Sequence, residues 1–215
     1  MKQFHGWWWP DHEVHMLEWV RNPRNQLPLN GRMTYQGRKQ VAVLSHCKSS
    51  GVAVDIGAHI GLWSYNLAHR FDHVHAFEPV AGHRTCFIEN VTLPNVTLHD
   101  CALGAIEQTV SIVTTPGSSG DSQVRPGTDI QMKLLDSFNL ENVDLIKIDT
   151  EGFEENVCRG GVDTILRCRP TIIVEQKRTM AERFGLKPQG AVAFLKGLGY
   201  KVVEEISGDY ILTPT

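Results

Sequence analysis

One cation and three carboxylates fall near two predicted strand ends, and their chemistry is the first thing to explain. Residues 143–149 read VDLIKID and run on into Thr150-Glu151-Gly152. Strand alternation puts Leu145, Lys147 and Asp149 on one face and Ile146 and Ile148 on the other. A lysine in the middle of a covered strand is costly unless it is paired. Asp149 follows two residues later, Glu151 lies in the turn beyond, and Glu175 ends the run TIIVE, which reads as the neighbouring strand. Such a group can position a hydroxyl and take its proton as charge develops. Glu151 or Asp149 is expected to be the base, with Lys147 orienting the acids and limiting their repulsion, and Glu175 within reach. For any single member the plainer reading is a structural ion-pair network. A divalent ion bridging the acids is a further alternative, since three oxygens at a loop can hold Mg²⁺; the spacing does not demand it, and no metal ligand is assigned.

A second stretch, VAVDIGAHIG at 52–61, raises a different question. Buried-strand residues run into Asp55, and then Gly57 and Gly61 stand four positions apart. Glycine suits a place where the chain bends and a ligand approaches the backbone. A dinucleotide site asks for GxGxxG with a pyrophosphate on the helix N-terminus. Here Ala58 and His59 stand where the second glycine would come, and an acid just before the first glycine is poorly placed beside a diphosphate. It suits a ligand with an ammonium group, such as the methionine part of S-adenosylmethionine. The next predicted strand, HVHAFEP, ends in Glu78. A carboxylate there can accept from both hydroxyls of a ribose, at roughly 1.5–3 kcal/mol per charge-assisted bond. Asp100, Cys101 and Ala102 at the end of VTLHDCAL, with Pro79 across the ring, are candidate adenine contacts, and Asp100 reads equally well as a turn residue.

These residues need elements to carry them. Helical spacing is read over 11–22 and 37–47. Strands and helices then alternate: VAVDIG and GLWSYNLAHRF, HVHAFEP and AGHRTCFIENVTL, NVTLHDCAL, VDLIKID and ENVCRGGVDTILRC, PTIIVEQ and PQGAVAFLKGLG. A Gly/Ser-rich stretch at 114–128 interrupts the pattern. YKVVEEI and DYILTP follow one another too closely for a helical crossover, so they should pair as an antiparallel hairpin. Alternation of this kind means a mostly parallel sheet covered on both faces, with ligands beyond the carboxyl ends of its strands.

Bulk properties exclude several classes. At 215 residues, 41% hydrophobic and 21% charged, the chain reads as one soluble globular domain. A net charge of −3 gives no footprint for nucleic acid, and no apolar run is long enough for a bilayer. The N-terminal residues carry no signal-peptide pattern. Five cysteines, odd in number and without CxxC spacing, fit reduced thiols in a cytoplasmic compartment. Two NVT sequons and the pair His12 and His15 are read as chance, the latter in a chain with ten histidines. Three consecutive tryptophans, Trp7 to Trp9, cannot all face one core from a regular element. At least one is expected on an open surface, or over a pocket as a lid or a homodimer contact. Residues 1–49 are therefore read as an N-terminal segment that could cover the substrate, and 50–215 as the cofactor-binding core, together one domain.

Taken together, VAVDIGAHIG, AFEP, CALG, LLDSF, VDLIKIDTEGFEENVCRGG and PTIIVEQK resemble the FkbM family of S-adenosylmethionine-dependent methyltransferases over roughly residues 50–178. The resemblance implies the α/β class I methyltransferase (Rossmann-like) fold, a mostly parallel seven-stranded sheet with an antiparallel last strand and helices on both faces. It also implies O-methylation of a small molecule or sugar. The expected cofactor contacts are Asp55, Gly57, Ala58, His59, Gly61, Glu78, Pro79, Asp100, Cys101 and Ala102. The alternatives are an NAD-dependent oxidoreductase and a nucleoside-binding module without catalysis.

Overall fold

The computed structural model describes residues 1–177 and 179–215. Seven strands form the central sheet: β1 (Val52–Ile56), β2 (His73–Phe77), β3 (Val96–His99), β4 (Val143–Ile148), β5 (Thr171–Glu175), β6 (Tyr200–Ile206) and β7 (Asp209–Pro214). Their order is β3-β2-β1-β4-β5-β7-β6. β1 to β5 run parallel, and β7 runs antiparallel between β5 and β6. The central sheet starts at β1 and winds outward in both directions, so strand order reverses between β1 and β4. That is where a crevice opens beyond the carboxyl ends.

The period of two decides which side chain faces which layer. Val54, Ile56, Ile146, Ile148, Ile172 and Val174 pack on one face against Val157, Ile165 and Leu195 of the helices Glu154–Arg159, Val162–Cys168 and Gly190–Gly197. Ala53, Leu145, Ile173 and Ile211 pack on the other against Val43, Trp63 and Leu67 of Gly37–Ser45 and Leu62–Ala68. The central strands are covered on both sides, which explains their continuous apolar runs. Among the described residues no helix is long and apolar enough to cross a membrane.

The elements differ from the sequence expectation in four places, each for a local reason. The first helix spans His15–Arg21 only. Glu13 accepts from Met16 N at 2.6 Å and fixes this later start, so Met16, Leu17 and Val20 face inward while Val14 is 50% exposed. The expected helix 155–168 is two helices parted at Gly160-Gly161; a Cβ on Gly160 would fall 1.9 Å from the Gly104 carbonyl oxygen. The expected strand NVTLHDCAL stops at His99, and Ala102–Leu103 crosses to a second sheet, where it pairs in parallel with Ile130–Lys133. The Gly/Ser-rich stretch belongs to that second sheet: Gln108–Thr115 and Ser118–Pro126 form an antiparallel hairpin.

The tryptophans divide between the two sides of one strand. Trp7–Trp9 is a strand paired with Lys2–Phe4. Alternation sends Trp7 and Trp9 to one side, fully buried near Ile60, Leu62 and Cys86, and leaves Trp8 half-buried on the other. The indole N–H groups of Trp7 and Trp9 donate to the carbonyls of Met33 (2.6 Å) and Phe4 (3.2 Å). The three therefore do not all face one core: Trp8 keeps part of its surface exposed.

Candidate active site

Past β1 the backbone turns at Gly57, whose φ is +76°. A Cβ there would lie 1.9 Å from the carbonyl oxygen of Asp149. The close approach that requires glycine is therefore the end of β4. Gly61 has φ +89°, and a Cβ would strike Val91 at 2.4 Å, so it lets the following helix pack closely as expected.

Lys147 explains how this turn is held. Its ammonium lies 3.0 Å from Asp55 Oδ1 and donates to the carbonyls of Ile56 (3.2 Å) and Gly57 (2.7 Å). Asp55 is fully buried and also accepts from Ser64 Oγ at 2.7 Å. Burial works against the lysine charge, but Asp55 and then Asp149 outweigh it and hold its pKa above the usual lysine range. Lys147 was expected to orient the acids of the KIDTEG turn; its direct partners are instead Asp55 and the glycine turn. Asp55, expected against the cofactor, stands one layer behind the cavity wall, which Gly57, Ala58, His59 and Lys147 line.

Glu78 sits where β2 ends, 4% exposed, on the same wall. Its carboxylate accepts from the backbone N–H of His59 (2.8 Å) and of Val80 (2.8 Å) and from His83 Nδ1 (3.1 Å). Backbone donors from two loops thus fix its orientation. Pro79, Cys101 and Ala102 also line the cavity; Asp100 is exposed and, like Gly61, is outside the lining. Asp100 misses because the chain leaves the central sheet just there for the second one.

His59 is joined to two distant segments. Ser119, in the inserted hairpin, donates its hydroxyl to Glu13 Oε2 and its backbone N–H to the same oxygen at 2.7 Å. With its proton given to a carboxylate, Ser119 Oγ accepts from His59 Nε2 at 2.7 Å. That leaves the lone pair on His59 Nδ1. His83 donates through Nδ1 to Glu78. His59 Nδ1 and His83 Nε2 have no hydrogen-bond partner among the described residues. Burial, and then His83, hold the His59 pKa well below the ordinary imidazole value, so the ring is neutral.

The acids of the KIDTEG turn meet at the other end of the cavity. Asp149, Glu151 and Glu175 each offer an oxygen within 4.8 Å of the others'. The turn is braced by Glu154, which accepts from the backbone N–H of Thr150 (3.1 Å) and Gly152 (2.8 Å). Glu151 is held there with φ +56°, a backbone state that costs on the order of 1–3 kcal/mol for a non-glycine residue. Burial and then Asp149 push the Glu151 carboxyl up to about 8. The same two causes, in the same order, push Glu175 up to about 10. Lys177 Nζ lies 2.6 Å from Glu175 Oε1. Tyr35 completes this wall, its phenol pushed up by burial and then by Asp149.

All four expected catalytic residues thus line one cavity with the ribose-side residues. Sequence reading missed Glu13, Tyr35, His83, Ser119, Glu154 and Lys177. Lys177 had a signal, two residues beyond Glu175 in VEQK. Glu13, Tyr35 and Ser119 had none, since only tertiary packing brings their segments here.

A family model described as the methyltransferase FkbM domain matches residues 55–202. A curated relative, "Methyltransferase 1" of Beauveria bassiana (strain ARSEF 2860), is 26% identical over 156 residues, which span 57% of this chain and 63% of that protein. Among solved structures, a precorrin-6y C5,15-methyltransferase from Geobacter metallireducens superposes with a TM-score of 0.52 at 17% identity, over 89% of this chain and 94% of that one. A Streptococcus mutans protein solved in complex with SAH gives 0.50 at 12% identity, over 81% and 94%. At such identities the two structures speak for the fold.

Proposed function

The chain belongs to the FkbM methyltransferase family, and from that premise we propose that it transfers the methyl group of S-adenosylmethionine to a hydroxyl of a small molecule or sugar. The observation that carries this reading is Glu78, its carboxylate pinned by two backbone N–H groups on the cavity wall beside the Gly57 turn. His59 and His83, each with an unpartnered ring nitrogen, flank it. The carboxylate and the His59 lone pair are acceptors, and they suit a ligand that donates, such as a ribose diol. Gly57 to His59 would hold the amino-acid part of the cofactor, and Pro79, Cys101 and Ala102 the adenine. Asp55 would act through the turn it braces with Lys147.

The sulfonium cofactor brings its own electrophile. The protein has to hold the acceptor oxygen roughly 3 Å from the methyl carbon, in line with the departing sulfur. The oxygen forms the new bond to carbon, sulfur leaves with the bonding pair, and the hydroxyl proton goes to a carboxylate. Glu151 is the favoured base, with Asp149 beside it; a carboxyl pushed up to about 8 is basic enough for this at neutral pH. Free thiols at all five cysteines agree with a reducing, cytoplasmic setting. His15, Met16 and Tyr35 bring the N-terminal segment to the cavity, which supports a role for that segment in covering the acceptor. Calorimetry tests the reading: S-adenosylhomocysteine should bind and NAD should not. Binding of NAD alone would favour an oxidoreductase.

A further inference from the structure

We infer that Asp149, Glu151 and Glu175 form a binding site for one hard divalent cation of the Mg²⁺ and Mn²⁺ class. The three side chains come from the end of β4, the turn after it and the end of β5, so rigid parts of the fold position them. Their oxygens lie within 4.8 Å of one another, close enough for one ion to touch all three. The donor set is oxygen only, which favours hard cations over zinc or copper.

Two further observations point to a ligand. Glu175 is 2% exposed, and its Oε2 has no hydrogen-bond partner among the described residues; the same is true of Glu151 Oε2. Buried carboxylate oxygens are ordinarily satisfied, and two orphans in one cluster are a costly arrangement for the protein alone. Charge accounting agrees. Of the nearby cations, Lys147 is engaged by Asp55 at 3.0 Å and Lys177 by Glu175 at 2.6 Å. That leaves Asp149 and Glu151 without an ion-pair partner among the described residues. A divalent ion keeps some of its coordination positions for water or substrate. This inference rests on the proposed methyl transfer only for its use: the open positions would receive the acceptor's hydroxyl, and a Glu151 oxygen not on the ion would still accept its proton.

Binding is measured without cofactor or acceptor. Chelator-treated protein is titrated with Mn²⁺ by calorimetry and by loss of the free-ion paramagnetic resonance signal, and S-adenosylhomocysteine is titrated in parallel. One equivalent of Mn²⁺ should bind and Mg²⁺ should compete for it. Glu175→Gln and Glu151→Gln should each weaken Mn²⁺ binding at least about tenfold. Glu107→Gln, at an exposed position outside the cavity, should leave it unchanged. Glu151 lies in a turn, so its variant remains informative if burial makes Glu175→Gln unstable. Wild type that takes up no Mn²⁺ at millimolar concentration would overturn the site, as would variants that bind as wild type does. Mn²⁺ binding with no S-adenosylhomocysteine binding would sink the methyl-transfer reading and leave the metal site standing. The opposite pair of results would do the reverse.

Discussion

The ribose side and the acid side of the cavity are both built on carboxylates, yet different forces hold them. Glu78 is gripped by backbone N–H groups of His59 and Val80, groups that belong to the loops of the central sheet. Glu175 and Glu151 face other charged side chains, and burial pushes their carboxyls up to about 10 and about 8. Backbone donors stabilise a charge in place and leave it ready for a ligand's hydroxyls. Crowded acids raise one another's proton affinity and are ready to accept a proton or a cation. On the proposed function, one side binds and the other reacts. Substitutions on the two sides should therefore separate affinity from turnover.

The largest separation is expected at the base. Glu151→Gln, or Asp149→Asn if that residue takes the proton, should lower turnover by roughly 10²–10⁴-fold, the usual scale of general base catalysis. Affinity for S-adenosylhomocysteine should stay within a few-fold. Steady-state rates with the true acceptor, set beside calorimetry, check both halves. Near-wild-type turnover in both amide variants would make these acids structural and direct attention to Glu175.

How much of each side could be read in the sequence follows from how it is held. The ribose side is made by consecutive pieces of one α/β repeat, so DIGAHIG and AFEP carry it in order, and Gly57, His59 and Glu78 all line the cavity. The central sheet was legible for the same reason: apolar runs, helical spacing and the closing hairpin are local signals. What was not legible is long-range. The Gly/Ser-rich stretch looked like an interruption because the second strand of its hairpin, Ser118–Pro126, carries few strong strand formers; it supplies Ser119, tied across 106 positions to Glu13. Lys147 was correctly read as needing a partner. The partner, Asp55, lies on the adjacent strand in direct register with it, and strand order is not written along the chain.

Lys147 also gives the next largest effect. Lys147→Met would leave Asp55 fully buried without its cation. Breaking a buried pair by removing one partner costs about 3–5 kcal/mol, and denaturant unfolding should show a loss of that order. The Asp55→Asn, Lys147→Met double variant should recover part of it. A single Lys147→Met that keeps wild-type stability would mean that the pair does not brace the turn.

The smallest effect concerns the neutral histidines. Burial, then His73 and His99, bring the His75 pKa down to about 4, and burial lowers His99 as well. In the unfolded chain these groups titrate near 6.5. A depressed folded pKa means stability present above about pH 6.5 and lost as the pH falls toward 4, because the unfolded chain then binds the protons. Melting temperature should fall over that window, and His75→Gln should reduce the slope by its own share. An unchanged slope would place the acid sensitivity elsewhere, with buried His59 next.

The division between a binding side and a reacting side is tested most directly by one titration: S-adenosylhomocysteine into wild type, Glu78→Ala and Glu151→Gln. Glu78→Ala should weaken binding by roughly 10²–10⁴-fold, from two lost charge-assisted bonds. Glu151→Gln should bind within a few-fold of wild type. A folded Glu78→Ala protein with wild-type affinity, or an equal loss in both variants, would contradict the account.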